Sequence, residues 1–254
     1  MTSLTTASSG GGGPRVRIIG PGRAGGSLAR ALADAGWEVV PPLGRGEDVG
    51  PAAAGVDLLV IATPDDRVRD VARAVDPVPS TVVGHLAGSL GLRVLAPHPR
   101  RAALHPLVAL PTPEIGAQRL VGAWFAVAGD PLARQVVEAL RGRWFEVHDR
   151  DRATYHAAAV VASNHLVALL GQVERLAETA GVPFEAYLDL ARATLDNVAD
   201  LGPRAALTGP AARGDEATIR RHLRALAAEE RRAYRALVEA ARRLARSSRQ
   251  GGEP

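Results

Sequence analysis

The sequence predicts an α/β domain with a mostly parallel sheet, followed by an all-α domain. Three observations predict it. Short runs rich in Val, Ile and Leu alternate with helical stretches through residue 148. A glycine-rich turn, Gly20-Pro21-Gly22-Arg23-Ala24-Gly25, joins the first such run to the first helical stretch. From residue 149 onward the strand signal stops, and Ala, Leu and Arg recur at helical spacing.

Taken in order, residues 1–14 read as a disordered leader, because MTSLTTASSGGGG has neither a basic start nor an apolar run. Residues 15–148 form the predicted α/β domain. Its strand-like runs are Arg15 to Gly20, Glu38-Val39-Val40, Asp57 to Thr63, Thr81 to His85, Trp124 to Ala128 and Trp144 to Val147, with a further strand ending near His105-Pro106. Helical spacing occupies Ala24 to Ala35, Asp66 to Val75 and Pro131 to Leu140. Residues 149–247 form the predicted helical domain. Ala153 to Thr179 is one long helix pattern closed by Gly181 and Pro183, Phe184 to Val198 is a second, and Glu216 to Arg246 supplies one or two more. Residues 248–254 read as a disordered tail.

Composition excludes several chemistries. There is no cysteine, hence no disulfide, thiolate metal site or thiol nucleophile. All 31 basic residues are arginine, so Schiff-base chemistry, lysine proton donors and a P-loop lysine are excluded. No metal site is expected. The net charge of +4 is spread evenly: 15 arginines face 13 acids in residues 1–148, and 16 face 14 in residues 149–254. No basic arm tracks a phosphate backbone, so nucleic acid is not an expected partner; Glu229 and Glu230 flank, and Glu239 interrupts, the arginine run Arg231, Arg232, Arg235, Arg242, Arg243 and Arg246. No uninterrupted apolar run reaches bilayer length, so a membrane is not expected either, and a cytoplasmic location follows by elimination.

The turn at Gly20 has the chemistry of a dinucleotide site. Gly20 permits the tight turn, Gly22 lets backbone approach a pyrophosphate, and Gly25 lets the helix lie close to the strand. Pro21, Arg23 and Ala24 complete the loop, and the helix N-terminus offers free N–H groups to phosphate. Beyond the second strand, Arg45 stands where NAD-binding proteins carry an acid. An arginine there suits the 2′-phosphate, so NADP (NADPH) is favoured over NAD, with Glu47 and Asp48 as rival readings. Thr63-Pro64-Asp65 and Ala87-Gly88-Ser89 follow two further strands and are expected at the same crevice; Asp65 reads equally well as a helix cap.

Three polar clusters mark a substrate side. His105 sits at a strand end. Tyr155-His156 opens the long helix, with Ser163-Asn164-His165 further along; His156 and Ser163, seven apart, share a face of a regular helix. Thr208 to Asp215 packs a hydroxyl, Arg213 and Asp215 into one turn, where Asp215 is a good N-cap and an Arg213–Asp215 pair explains the spacing nearly as well as a ligand does.

The stretches IIGPGRAGGSLARAL, TPD, HLAGS, LHPL, YHAAAVVASNHLVAL and LTGPAARGD resemble those of bacterial proteins that pair a Rossmann-like domain with a helical domain of unassigned function. These form a branch of the group containing pyrroline-carboxylate reductases, ketopantoate reductases and 6-phosphogluconate dehydrogenases. The resemblance implies a two-domain NADP-type oxidoreductase fold, with a helical domain like the C-terminal one of 6-phosphogluconate dehydrogenase that often completes a dimer. It implies no substrate. Its lysine-dependent members differ from this chain, which has no lysine.

The expected activity is hydride transfer between NADP and a small polar, acidic keto or imine metabolite. His156 is the expected acid/base with His105 as its rival, Asn164 and Ser163 orient or stabilise charge, and Tyr155, Thr208, Arg213 and Asp215 bind substrate. The alternative is a sensor or scaffold that binds NADP without chemistry. The apolar faces of the long helix predict a homodimer through the helical domain.

Overall fold

The computed structural model describes residues 13–246. The expected leader lies outside them except for Gly13 and Pro14, and the expected tail lies outside them entirely. By contacts the chain divides into two compact units that meet between Ser163 and Asn164, further along than the loss of strand signal at 148/149.

The first unit is built on seven strands: β1 (Arg15–Ile19), β2 (Glu38–Val39), β3 (Leu58–Ile61), β4 (Val82–His85), β5 (Arg100–Pro106), β6 (Trp124–Gly129) and β7 (Arg143–Glu146). Their order is β2-β1-β3-β4-β5-β6-β7. All neighbours are parallel except β5 and β6. The chain runs from β1 to one side for β2 and returns to the other side for β3. That reversal opens a crevice at the carboxyl ends of β1 and β3.

Helices α1 (Arg23–Asp34), α2 (Asp65–Ala74), α3 (Pro113–Leu120) and α4 (Leu132–Ala139) cover the sheet. Alternation along each strand fills two cores. Leu58, Val60 and Val82 pack with Leu28, Leu32 and Phe125, whereas Leu59, Ile61 and Val83 pack with Val68, Ala72 and Leu95. Side chains buried on both faces explain why these strands read as continuous apolar runs.

One close approach governs the start of the fold. A Cβ on Gly25 would lie 2.2 Å from the Gly20 carbonyl oxygen and 2.9 Å from the Ala62 and Ile18 side chains. Only glycine lets α1 sit this near to β1 and β3. Gly20 itself has φ +91°, a conformation that L side chains rarely adopt, and its N–H donates to the Leu43 carbonyl at 2.8 Å.

The chain then enters α5 (Arg152–Val160), a π-helical turn (Val161–His165) and α6 (Leu166–Ala180). The long helix read as regular from the sequence is therefore interrupted. The wider turn breaks the 3.6-residue register, so the face-sharing expected of His156 and Ser163 does not carry through it. Asp149–Ala180 is long and apolar enough to cross a membrane by length and composition, with little of it buried. A search for uninterrupted apolar runs passes over it, because Ser163, Asn164 and His165 punctuate it without lowering its overall apolarity much.

Within the second unit, α7 (Phe184–Ala205) runs beyond the expected end and breaks at Gly202, which is followed by Pro203. A short turn of helix, α8 (Pro210–Arg213), leads to α9 (Glu216–Ala225) and α10 (Arg231–Arg246). Glu230 ties this unit together. Its carboxylate accepts two bonds from Arg175 at 2.6 and 3.2 Å, and its carbonyl accepts from Gln172 at 3.0 Å.

Candidate functional site

The mouth of the crevice is a cleft of about 1130 Å³ in the first unit. Gly20, Pro21 and Gly22 form one wall, Thr63 and Pro64 the next, and Arg45 and Arg67 stand among its outer residues. Gly22 precedes α1, where no side chain caps the helix, and a Cβ built on Gly22 meets nothing within 4 Å. Open space beside uncapped N–H groups at the start of a 12-residue helix fits a pyrophosphate. Arg23 and Ala24 open α1 beside it, and the Arg23 carbonyl accepts from Ser27 Oγ at 2.5 Å. The Thr63 hydroxyl is buried with no protein partner, as expected of a group that contacts a bound molecule.

The two rival acids beyond β2 are engaged locally. Glu47 lines the cleft, but its carboxylate accepts from the Gly44 N–H; Asp48 accepts from the Gly50 N–H at 2.9 Å. Arg45 and Arg67 remain exposed at the cleft. Sequence reasoning missed Arg67, because its place on α2 gives no linear sign that it faces the β2 loop.

Asp65 is the first residue of α2 and makes no side-chain cap, contrary to the bland reading of TPD. It accepts instead from Ser89 Oγ at 2.8 Å, which links the loop after β3 to the loop after β4. Ala87 and Gly88 are buried next to this link.

Gly88 is the centre of the second cluster. A Cβ there would lie 2.5 Å from His156 Nδ1 and 2.9 Å from His105 Cε1 and Nε2. Backbone alone fits between the two imidazoles, whose ring centroids are 5.7 Å apart. His105 Nδ1 lies 2.5 Å from Tyr155 Oη, with the rings edge to face. Residues from β5, the β4 loop and the start of α5 thus converge, although they are far apart in the sequence.

Burial sets the protonation of this cluster. Desolvation, helped by His156 and then Arg152, pushes His105 down to about 4. Desolvation followed by Arg152 does the same to His85, at the end of β4. Burial raises Tyr155 to about 12. At neutral pH both histidines are neutral and Tyr155 keeps its proton.

Ser163 and Asn164 are exposed within the π-helical turn, and their side chains make no hydrogen bond to the described residues. Thr208, Arg213 and Asp215 belong to the second unit. Asp215 caps α9 by accepting from the Thr218 N–H at 3.0 Å, and that bond, with a smaller contribution from Arg213, holds its carboxyl below the usual range. No Arg213–Asp215 ion pair forms among the described residues.

Residues 124–241 match the family described as "Domain of unknown function (DUF2520)". No curated protein sequence matches the chain. Solved structures match over nearly its whole length. A candidate NADP oxidoreductase from Bacteroides fragilis is 21% identical, with a TM-score of 0.75 over 91% of this chain and 98% of that one. A reductive aminase from Aspergillus terreus, in complex with NADPH, is 20% identical, with a TM-score of 0.65 over 91% and 94%. The pyrroline carboxylate reductase of Plasmodium falciparum, with NADP bound, is 13% identical, with a TM-score of 0.58 over 91% and 98%. At these identities the likeness is one of fold: a Rossmann-like domain followed by helices. The DUF2520 match includes Tyr155 and His156 but begins after His105.

With His85 and His105 held neutral by burial, the chain is expected to be sensitive to acid. A group whose folded pKa is depressed contributes stability above its unfolded pKa of about 6.5 and loses it as pH falls toward the folded value. Urea unfolding from pH 7 to 4.5 is therefore expected to show falling stability. The H105Q variant is expected to lose less over that interval than the parent, by about 2 kcal/mol.

Proposed function

We propose that this protein is an NADP-dependent reductase acting on the C=O or C=N carbon of a small polar substrate. The observation that carries the reading is the Tyr155–His105 pair, 2.5 Å apart, beside the Gly88 loop at the carboxyl ends of β4 and β5. In a mostly parallel sheet this is the edge at which ligands bind. The Gly20–Gly25 turn, Thr63 and Pro64 hold the dinucleotide, and Ala87, Gly88 and Ser89 line its inner end. Arg45 and Arg67 face its 2′-phosphate. When bound, the reduced nicotinamide supplies the hydride equivalent.

The protein's own part is the proton. With the Nδ1–H tautomer of His105 donating to Tyr155 Oη, the Tyr155 hydroxyl is free to donate to the substrate heteroatom as negative charge develops there. Tyr155 then recovers a proton from His105, and His105 from solvent. A phenol with a raised pKa is a poor acid toward water but strong enough for an alkoxide or an amide anion. His156, on the other side of Gly88, is the alternative donor. Absence of NADPH oxidation with keto acids, aldehydes and imines would leave the sensor or scaffold reading in place.

The second unit supports a dimer. Its fully buried apolar side chains are few, Ala177 and Ile219 among the described residues, whereas Leu190, Leu195 and Leu201 on α7 are 62%, 53% and 60% exposed. A second copy covering these faces would complete a core that one chain leaves thin. Light scattering at micromolar concentration is expected to give twice the chain mass, and a monomer mass would refute the dimer.

Two substitution experiments test the active-site reading. R45A and R67A are each expected to weaken NADPH binding about tenfold and to leave NADH binding unchanged, as measured by nucleotide fluorescence. Y155F is expected to lower kcat by about a hundredfold with unaltered NADPH affinity; normal turnover in Y155F together with lost turnover in H156A would transfer the proton role to His156.

A further inference from the structure

The first unit holds a buried cation that the proton chemistry does not use. Arg152, the first residue of α5, is 1% exposed. Its Nε donates to Asp149 Oδ1 at 3.2 Å, while Nη1 and Nη2 are closed to solvent and have no hydrogen-bond partner. A guanidinium carries five donors. Burying most of them bare costs several kcal/mol, which folded proteins rarely tolerate without a partner.

Asp149 gives that partner only in part. Its carboxylate packs against Gly91, where a Cβ would lie 2.4 Å from Oδ2. His85 adds a second incomplete group. It is fully buried at the end of β4, and neither ring nitrogen makes a well-formed hydrogen bond, the Gly91 backbone being its nearest polar support. His156 Nδ1, against Gly88, is a third. Arg152 lies near enough to His85, His105 and Tyr155 to act on the charge of all three. A fixed cation with a paired set of free donors and two imidazoles with open nitrogens therefore surround the Gly88–Gly91 loop.

We infer that Arg152, assisted by His85, holds a carboxylate of the substrate next to the Tyr155–His105 pair. The inference rests on the reductase reading and narrows its substrate class to oxo acids or the imines derived from them. The two Nη groups match a carboxylate bidentately, a geometry that lysine cannot offer and that this lysine-free chain supplies with arginine. The anchor is thus assigned to the first unit, beside the proton donors, instead of to Arg213.

The test uses the full chain loaded with NADPH, and oxamate, an unreactive mimic of a 2-oxo acid. Calorimetry is expected to show oxamate binding that weakens roughly tenfold or more in R152Q, with NADPH affinity unchanged. Oxamide, its neutral counterpart, is expected to bind no better to the parent than to R152Q. Because R152Q leaves Asp149 unpaired, the double variant R152Q/D149N is measured alongside it, and thermal melting shows which of the two is folded. Oxamate binding that is equal in the parent and a folded Arg152 variant would overturn the inference, as would oxamide binding as tight as oxamate. Inorganic phosphate binding as tightly as oxamate would also overturn it, by making the site a general anion trap. Reduction of a 2-oxo acid at the parental kcat/KM in R152Q would remove the carboxylate anchor and keep the reductase. Arg152-dependent oxamate binding without turnover of any oxo acid would keep the anchor and remove the reductase.

Discussion

The contact of Gly25 with Gly20 and Ala62 is the constraint on which the rest of the first unit depends. It brings the start of α1 down onto the ends of β1 and β3, so that uncapped N–H groups face the crevice. Moving the helix outward by even the width of a methyl group would open the core beneath Leu28 and Leu32 and withdraw the donors from the site. Small residues also set the opposite side of α1. Gly26 lies against Pro113, and Gly116 leaves room for the Ser27 side chain, so that α3 lies close against α1. The N-terminal end of the helix is therefore held by packing on two sides although no side chain caps it.

The loop after β4 repeats the same device for a different purpose. Gly88 separates two imidazoles, and Gly91 receives the Asp149 carboxylate. Backbone in these places draws residues from β4, β5 and the start of α5 into one buried group. Burial then decides their charge: His85 and His105 stay neutral, and the guanidinium of Arg152 reinforces both effects. The expected acid sensitivity and the proposed proton relay both depend on this desolvation.

What the sequence made legible were features with linear signatures. The alternation of apolar runs and helices, the glycine turn, Arg45 and the polar residues His105, Tyr155 and His156 could all be read from spacing and type. Arg67, His85, Asp149 and Arg152 could not be singled out in the same way. Arg152 belongs to the run Asp149-Arg150-Asp151-Arg152, which reads as a solvated boundary between domains, and nothing in its neighbours says that this one arginine turns inward. Ser163 and Asn164 are the opposite case. They punctuate an apolar helix, and the π-helical turn leaves them exposed.

The absence of lysine gives these pieces a common logic. Without an ammonium group, neither a flexible point charge nor a lysine proton donor is available. Charge and proton must then be carried by different residues. Arginine holds charge permanently and in a fixed plane, but does not give up a proton at any ordinary pH. Tyrosine and neutral histidine can pass a proton, but carry no charge with which to hold an anion. A site made from both has to bring them close without letting the cation strip the proton from its neighbours or leave them protonated. Arg152 fits that condition: its Nε donates to Asp149, and it adds only the second contribution at His85 and the third at His105 to a neutrality that burial mainly sets, while Tyr155 keeps its proton.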